Sequence, residues 1–533
     1  MTASADKAAD LGLVSKAAPD KPVTRVGPVI ARAAAGPAWM RLLPAVVAAC
    51  VMATGITVPS YWRDESATIE AVKRPVGALL HMLTNVDAVH GAYYLLMWPI
   101  AHIFGTSELV MRLPSLIAMS LAAGVVTATG RRLMSPGAGL AAGLIFAVIP
   151  SISLYGQMAR SYALVVLVAS TATYAFVRVL EDDTNRTAWL WYTASLTVLG
   201  ILNVFALLLI PAHGVTMLVR YRARGAGPGG RPALRRWLTA ALFAGIVNGP
   251  LIAAAYLQRG QLSWVIPAGL KSVNTAAALL GPAWMCFLIL VLAVLGMLAS
   301  TARFLLPWLD RAESGDNGWH GGVAAVCLPW LALPAILLLG VSVAITPVYT
   351  PRYLLFCIPA AALLAGAGVS ALARIPGLRI VGPATATAAV VLTAVLGLSW
   401  QQVYRQPNGH GDDIRQADQM IAASWKPGDA VFYYRVDSMS FGVAYPTGLG
   451  QLRDIQIAQQ PIPSGTISGT TVSNAELVSR LRHVSRIWVV QIDAPEPQPG
   501  ELMRRAHLHI VWTWATSDIW LQLYARGAAS SAP

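Results

Sequence analysis

Leu109–Gly130 reads LVMRLPSLIAMSLAAGVVTATG and runs directly into Arg131-Arg132. As a helix this stretch crosses the roughly 30 Å hydrocarbon core of a bilayer. The arginine pair behind it marks a cytoplasmic end by the positive-inside bias. The pattern then repeats: apolar stretches of about 17–25 residues, the length of a bilayer-crossing helix, recur between Leu42 and Leu398. Of 533 residues, 56% are hydrophobic and 12% charged, and the mean hydropathy is +0.57. A soluble protein carries about twice that charged fraction, so the chain reads as an integral membrane protein.

The formal charge of +14 and pI near 9.9 raise the question of nucleic-acid binding. The basic residues sit mostly in short loops between apolar runs, which fits a membrane protein's loop bias better than nucleic-acid binding, and no nucleic-acid partner is expected. Four cysteines (Cys50, Cys286, Cys327, Cys357) lie in apolar segments without metal-ligand spacing and read as small core residues. The chain is rich in Ala, Gly, Pro, Arg and Trp and poor in Lys and Asn, the usage of a GC-rich bacterial genome.

Three regions are expected. Residues 1–41 are Ala-rich, polar and without periodicity, the composition of a disordered cytoplasmic tail. Residues 42–400 form an all-α transmembrane domain of about eleven helices. The expected spans are Leu42–Val58, Leu109–Gly130, Gly137–Pro150, Tyr162–Val179, two within Trp189–Val219 turning near Asn203, Trp237–Leu257, Val273–Leu298, Gly321–Ile345, Tyr353–Leu372 and Val381–Leu398. Gly91–Gly105 is apolar but too short to cross, and is expected at the surface or re-entrant. The Arg220–Arg236 stretch is the strongest cytoplasmic signal, and its glycine run reads as a flexible linker because it lacks a P-loop ending. Residues 401–533 change character and read as a small extracytoplasmic α/β domain. Strands are expected at 430–434, 486–492, 507–514 and 519–524, with helices at 412–425 and 475–481. The protein is thus expected in the plasma membrane as a multi-pass chain, with its N-terminus cytoplasmic.

Charged residues at the outer membrane edge are the candidates for chemistry, because a carboxylate or Arg at mid-membrane costs roughly 2.5–3.5 kcal/mol. Asp64-Glu65 follows the first span. It is either an acidic helix start favoured by the helix dipole or part of a site. Arg160 and Tyr162 sit at one outer helix mouth, and Arg352 and Tyr353 repeat the arrangement at another. Such arginines bind phosphate or neutralise a carboxylate, or snorkel to headgroups. Gln258, Gln261 and Trp264 fill a third outer loop and are candidates for sugar hydroxyls and a ring face, although Trp264 also suits a bilayer anchor. His90 with Asp87 is a candidate for a divalent cation or a phosphate. No HExxH motif, nucleophile elbow or dinucleotide fingerprint is present, and no cofactor or metal site is assigned.

These residues carry a resemblance over about Tyr61 to Pro359. It rests on Asp64-Glu65, Asp87-Ala88-Val89-His90 leading into Tyr93-Tyr94-Leu95-Leu96, Phe104-Gly105 with Arg112-Leu113-Pro114-Ser115, Gln157-Met158-Ala159-Arg160-Ser161-Tyr162, and Arg352-Tyr353 with Pro359. In this order and spacing the chain resembles the GT-C membrane glycosyltransferases, in the branch of protein O-mannosyltransferases and aminoarabinose transferases, and looks closest to actinobacterial mannosyltransferases. It departs from many relatives at His90-Gly91-Ala92, where they have His-Pro-Pro, and at Met158, where they have Glu.

The resemblance implies inverting transfer of a sugar, with mannose expected, from a polyprenyl-phosphate donor to an acceptor hydroxyl on the extracytoplasmic face. The acceptor would be a protein, a glycolipid or a secreted peptide. Asp64 would act as general base, with Glu65 orienting its neighbours. Arg160 or Arg352 would hold the leaving phosphate, with Tyr162, Tyr353 and His90 beside it. Arg112 joins Gln258, Gln261 and Trp264 among the residues expected to contact substrate. Two other readings are a transporter or flippase for a lipid-linked or polar solute, and a non-catalytic scaffold favoured by Met158. Paired repeats and helices broken at mid-membrane, the marks of many transporters, are not apparent.

Overall fold

The computed structural model describes residues 37–224, 230–305, 322–375, 382–434, 440–492 and 495–527. The expected tail up to residue 36 and most of the glycine-run linker (225–229) lie outside the described residues. From Trp39 onward the chain forms one compact unit. Its membrane part is all-α. Helix α1 (Trp39–Ala53) leads through an irregular segment to α2 (Arg63–Val72), α3 (Val76–Asn85) and α4 (Gly91–Phe104). Then come α5 (Glu108–Leu133), α6 (Pro136–Val148), α7 (Pro150–Gly156), α8 (Tyr162–Glu181), α9 (Arg186–Leu202), α10 (Leu209–Arg224) and α11 (Gly230–Leu257). The short α12 (Leu270–Ala277) precedes α13 (Ala283–Leu305), α14 (Gly322–Ala344), α15 (Ile358–Leu372) and α16 (Gly382–Val403).

Among the described residues, eight helical stretches are long and apolar enough to cross a membrane, nine when the bent pair α6–α7 counts as one, and α1 is a shorter apolar helix. The 63° bend between α6 and α7 falls at Ile149-Pro150. Proline supplies no N–H to continue α6 and disfavours helical geometry at the residue before it. Ser135 caps α6, its hydroxyl accepting from Ala138 N–H at 3.2 Å. The turn expected near Asn203 is present: α9 ends there, and the Asn203 side chain accepts from Phe205 N–H at 2.9 Å. Helix α15 is buried on every side from Ile358 to Val369. It approaches α13 so closely that a Cβ at Gly368 would lie 1.9 Å from Leu292 O, and one at Gly296 2.3 Å from Leu364 O. Only glycine permits this crossing. Cys327 and Cys357 are buried as expected, whereas Cys50 is exposed and Cys286 half-buried; all four are free.

The bundle has two chemically distinct ends. At one, Arg132 pairs with Glu181 at 2.5 Å, Arg220 lies 3.9 Å from Asp183, and Arg236 donates to Asp183 O. At the other lie Asp64, Arg160 and Arg352. Helix α8, with 20 residues, separates these ends by about 30 Å. Helix α4 has 14 residues, about 21 Å at the helical rise, and so falls short of a crossing. Instead Tyr93, Tyr94 and Met97 of α4 share a cluster with Ile69 and Val72 of α2 and Met82 of α3.

After α16 the chain builds a small α/β region with two sheets, a mixed one of five strands and an antiparallel pair. Its parts are α17 (Ile414–Ala422), β1 (Ala430–Tyr433), β2 (Arg453–Asp454), β3 (Ile457–Gln459), β4 (Thr470–Thr471), α18 (Asn474–Leu481), β5 (Arg486–Ile492), α19 (Pro497–Arg505), β6 (His509–Ala515) and β7 (Ile519–Ala525). The order is β2-β1-β5-β7-β6; β2, β1 and β5 are parallel, and β5–β7 and β7–β6 antiparallel. Alternate side chains face opposite sides. Val431, Trp488 and Leu521 pack with Ile414 and Ile421 of α17 on one face; Phe432, Ile487 and Val489 pack with Leu477 and Met503 on the other. The strands β2, β3 and β4 and the helix α19 were not expected from sequence, being short or lacking strict periodicity.

This region docks on the juxtamembrane helices through Arg74. Its Nη2 donates to Glu70 Oε1 (2.9 Å), Thr466 O (2.7 Å) and Ile467 O (3.0 Å), and both side chains are buried. Arg74→Met removes a buried cation and strands Glu70 and two carbonyls. The variant is expected to lose about 3–5 kcal/mol of docking stability, read as new protease cleavage within residues 460–470. An unchanged cleavage pattern would show that Arg74 does not hold this contact.

Candidate active site

The candidate site begins with an irregular stretch of backbone. Between α1 and α2, residues 54–62 form neither helix nor strand, and most of their carbonyl oxygens find no backbone partner within the segment. Three arginines satisfy them. Arg112 on α5 donates to Ile56 O and Pro59 O (2.8 Å each) and to Ser60 O (3.0 Å). Arg405, just past α16, donates to Val51 O and Thr54 O. Arg415 on α17 reaches Thr57 O, Val58 O and Pro59 O. Gln157 adds bonds to Met52 O and Thr54 O.

Helix α2 starts where this segment ends, so Asp64 and Glu65 fall in its first turn. They face opposite ways. Glu65 is fully buried and accepts from Arg112 Nε (3.0 Å) and Nη2 (2.8 Å) and from Ala159 N–H (2.7 Å). Burial pushes its carboxyl up, but the Arg112 guanidinium and its hydrogen bonds bring it down to about 2. Glu65 therefore ties the 157–161 turn to α5 and α2. Arg112 is itself 0% exposed with every nitrogen engaged. The structure thus places this expected substrate-contact residue behind the site, in its frame.

Asp64 stays partly exposed. Its Oδ2 lies 3.3 Å from Arg352 Nη1, with the two side chains 27% and 18% exposed, so a ligand can reach the pair. The Arg352 guanidinium is flanked by two indoles, 5.3 Å from the Trp264 centroid and 5.6 Å from that of Trp62. This contact holds a cation without consuming its hydrogen-bond donors. Tyr155, Tyr162 and Tyr353 lie within electrostatic reach of Arg352. Tyr155 packs edge-on to Tyr162, with centroids 5.2 Å apart. Tyr353 stacks on Phe205 at 4.8 Å.

Arg160 lies deeper, at 5% exposure. Its Nη1 donates to Asp64 O (3.2 Å) and its Nη2 to His90 Nε2 (2.9 Å). An arginine cannot accept, so His90 must accept through Nε2 and carry its proton on Nδ1. Burial, then the charge of Arg160, lowers the His90 imidazole to about 4, although Asp87 and Asp64 pull it upward.

Asp87 holds a left-handed backbone (φ 61°), a conformation Asp tolerates better than most residues. It accepts from Tyr94 Oη at 2.6 Å. With its amide turned to face the carboxylate, Gln261 donates to Asp87 Oδ1 (3.2 Å) and accepts from Asp87 N–H (2.9 Å). Gln258 accepts from Ala88 N–H (2.9 Å) and donates to Leu83 O (3.2 Å). Both glutamines, expected to bind sugar, bond to the 83–88 loop, with Gln261 remaining exposed. Asp87 and His90, the pair weighed for a cation, are likewise engaged with protein partners. Among the described residues no three His, Cys, Asp or Glu side chains converge.

Asp64, His90, Arg160, Tyr162, Trp264, Arg352 and Tyr353 are thus gathered, while Glu65 and Arg112 lie behind. Sequence reasoning missed Trp62, Tyr155, Arg405 and Arg415. Tyr155 and Tyr162 fall on different helices, α7 and α8, so no helical spacing marked Tyr155 in the sequence.

Two outcomes follow. Glu65→Gln leaves Arg112 buried without its counter-charge and is expected to cost about 3–5 kcal/mol, measured as a lower thermal midpoint in detergent. For His90 the folded-state value lies below its ordinary 6.5. Its contribution is therefore complete above pH 6.5 and is lost as pH falls through about 4. The thermal midpoint is expected to fall over that window, and less so in His90→Gln; parallel profiles would exclude His90 as the group responsible.

Residues 92–225 match the family described as dolichyl-phosphate-mannose-protein mannosyltransferase. No curated protein sequence matches the chain. The fold is similar to that of ArnT from Cupriavidus metallidurans bound to undecaprenyl phosphate, with TM-score 0.57 and 12% identity over 92% of this chain and 98% of that one. It is also similar to the Archaeoglobus fulgidus oligosaccharyltransferase complex with Zn and sulfate, with TM-score 0.51 and 12% identity over 91% of this chain and 73% of that one. Archaeal oligosaccharyltransferase AglB from Archaeoglobus fulgidus, in complex with an inhibitory peptide and a dolichol-phosphate, gives 0.51 and 11% identity over 85% of this chain and 69% of that one. The architecture is accordingly the GT-C fold: a polytopic helical domain with a small C-terminal α/β region.

Proposed function

We propose that the protein is an inverting glycosyltransferase that moves a sugar, mannose in the first instance, from a polyprenyl-phosphate donor to an acceptor hydroxyl. The observation that carries this reading is the partly exposed Asp64–Arg352 pair, a carboxylate and a cation 3.3 Å apart at one end of the bundle. Support comes from the family match over 92–225 and from the lipid phosphates named in the similar structures.

The chemistry needs a base and an anion holder. The acceptor oxygen attacks the anomeric carbon, the bond to the phosphate oxygen breaks, and polyprenyl phosphate leaves as its own anion. Asp64 takes the acceptor proton. Arg352 holds the phosphate, because its guanidinium is reachable while both terminal nitrogens of Arg160 are already engaged. A phosphate that draws Arg352 away from Asp64 would free the carboxylate oxygens for the proton transfer. Donor binding and base release are then one event. Trp62 and Trp264 keep the guanidinium in place during the exchange. Tyr155, Tyr162 and Tyr353 line the donor side. The basic end, with Arg131, Arg132, Arg220 and Arg236, is assigned to the cytoplasm and the Asp64 end to the outside.

The test is transfer of radiolabelled mannose from polyprenyl-phosphate mannose in membranes containing the protein. Asp64→Asn at equal abundance is expected to lower transfer roughly 10²–10⁴-fold. Arg352→Ala is expected to cost roughly 10²–10³-fold in kcat and to weaken donor binding. Equal transfer by wild type and Asp64→Asn would remove Asp64 as base.

A further inference from the structure

The connection between α16 and α17 is far more bonded than a linker needs to be. Arg405 and Arg415 at its two ends hold the carbonyls of α1's last turn and of residues 57–59. Between them, Pro407 O accepts from Ser60 N–H at 2.8 Å, and Ser60 Oγ donates to Asp412 O (2.8 Å) while accepting from Ile414 N–H (3.0 Å). His410 is buried, its Nδ1 3.7 Å from Glu65 Oε2. The remaining contact is the most telling. Helix α2 has Trp62 at its N-cap, which offers no side-chain acceptor. A helix N-terminus presents N–H groups that need one. Asp412 supplies it from 349 residues away: its Oδ2 accepts from Arg63 N–H at 3.2 Å and lies 3.4 Å from Arg63 Nε.

We infer that residues 405–415 are a positioning strap for Asp64, with Asp412 as the positioning residue that caps α2 in trans. The inference rests on the glycosyl-transfer reading of Asp64. The strap touches Ser60, Arg63 and Glu65, the residues on either side of Asp64, and makes no bond to the Asp64 carboxylate. It therefore acts by fixing where the first turn of α2 sits, and so how far the carboxylate stands from Arg352 and from an acceptor hydroxyl. A carboxylate of Asp412 also places negative charge at a helix N-terminus, where the helix dipole favours it. Because the strap is the covalent root of the sheet-bearing region, that region is joined to the reacting carboxylate by about ten residues of bonded chain.

The experiment uses the full chain, purified and reconstituted with radiolabelled polyprenyl-phosphate mannose, comparing wild type, Asp412→Ala, Asp412→Asn and Ser60→Ala. Asp412→Ala is expected to lower kcat roughly tenfold to hundredfold, the effect of misplacing a catalytic group by about 1 Å. Donor KM should stay within about twofold, since no donor contact is removed. Asp412→Asn keeps an oxygen acceptor for Arg63 N–H and is expected to restore most of kcat. Ser60→Ala is the milder variant should Asp412→Ala fold poorly, and is expected to show the same split at smaller size. Variants with lowered thermal midpoints whose folded fraction keeps wild-type kcat would overturn the strap and leave a merely structural contact. Wild-type protein that transfers no sugar would overturn the glycosyl-transfer reading itself, and with it the role given to Asp412.

Discussion

Most carbonyls in nine residues of non-helical backbone find hydrogen-bond donors outside the segment, and the rest of the site follows from how they do. Residues 54–62 join α1 to α2 without forming a helix or a strand. Their carbonyls are held by Arg112, Arg405 and Arg415, one side chain from the bundle and two from its far C-terminal edge. Arginine suits the task because its planar fork presents several donors at fixed angles and stays charged when buried. A lysine at any of these positions would have fewer directed donors, and a hydrophobic residue would leave the carbonyls unpaired.

Of the three arginines only Arg112 is fully buried, and two of them meet a carboxylate close by. Glu65 neutralises Arg112, and Glu108 accepts from Arg415 at 2.8 Å. Glu65 also takes Ala159 N–H, so the same carboxylate that satisfies Arg112 fixes the turn bearing Arg160. The frame and the reacting groups are therefore mechanically continuous. Asp64 is a neighbour of Glu65 in sequence, but the helical turn sends it to the open side, where it meets Arg352. Two adjacent carboxylates acquire separate roles because one finds an arginine in the core and the other finds one at the mouth.

The loop 83–88 shows a second use of the same logic. Gln258 and Gln261 offer amide groups that would suit sugar hydroxyls, yet the nearest unsatisfied groups are the backbone N–H of Ala88, the Leu83 carbonyl and the left-handed Asp87. Buried or half-buried polar groups find partners, and here the partner is the protein itself. Asp64, Arg352, the indoles that flank the guanidinium, Tyr155 and Tyr353 stay at least partly accessible to a ligand.

The sequence by itself determined the long apolar helices, the arginine-rich end of the bundle, the change to an α/β region after residue 401 and the candidate trio Asp64, Arg160 and Arg352. Each of these is written in local composition or in short-range periodicity, and solvent transfer acts on such patterns residue by residue. The tertiary structure alone decided that Arg112 belongs to the frame, that Gln258 and Gln261 clasp a loop, that Trp62 and Tyr155 border the site, and that Asp412 caps a helix starting at Arg63. For Arg112, the glutamines and Asp412 those assignments depend on hydrogen bonds between groups 47 to 349 residues apart, and for Trp62 and Tyr155 on ring contacts. A polar side chain carries no mark in sequence of which distant carbonyl or N–H it will meet; only the packed bundle brings them within 3 Å or so.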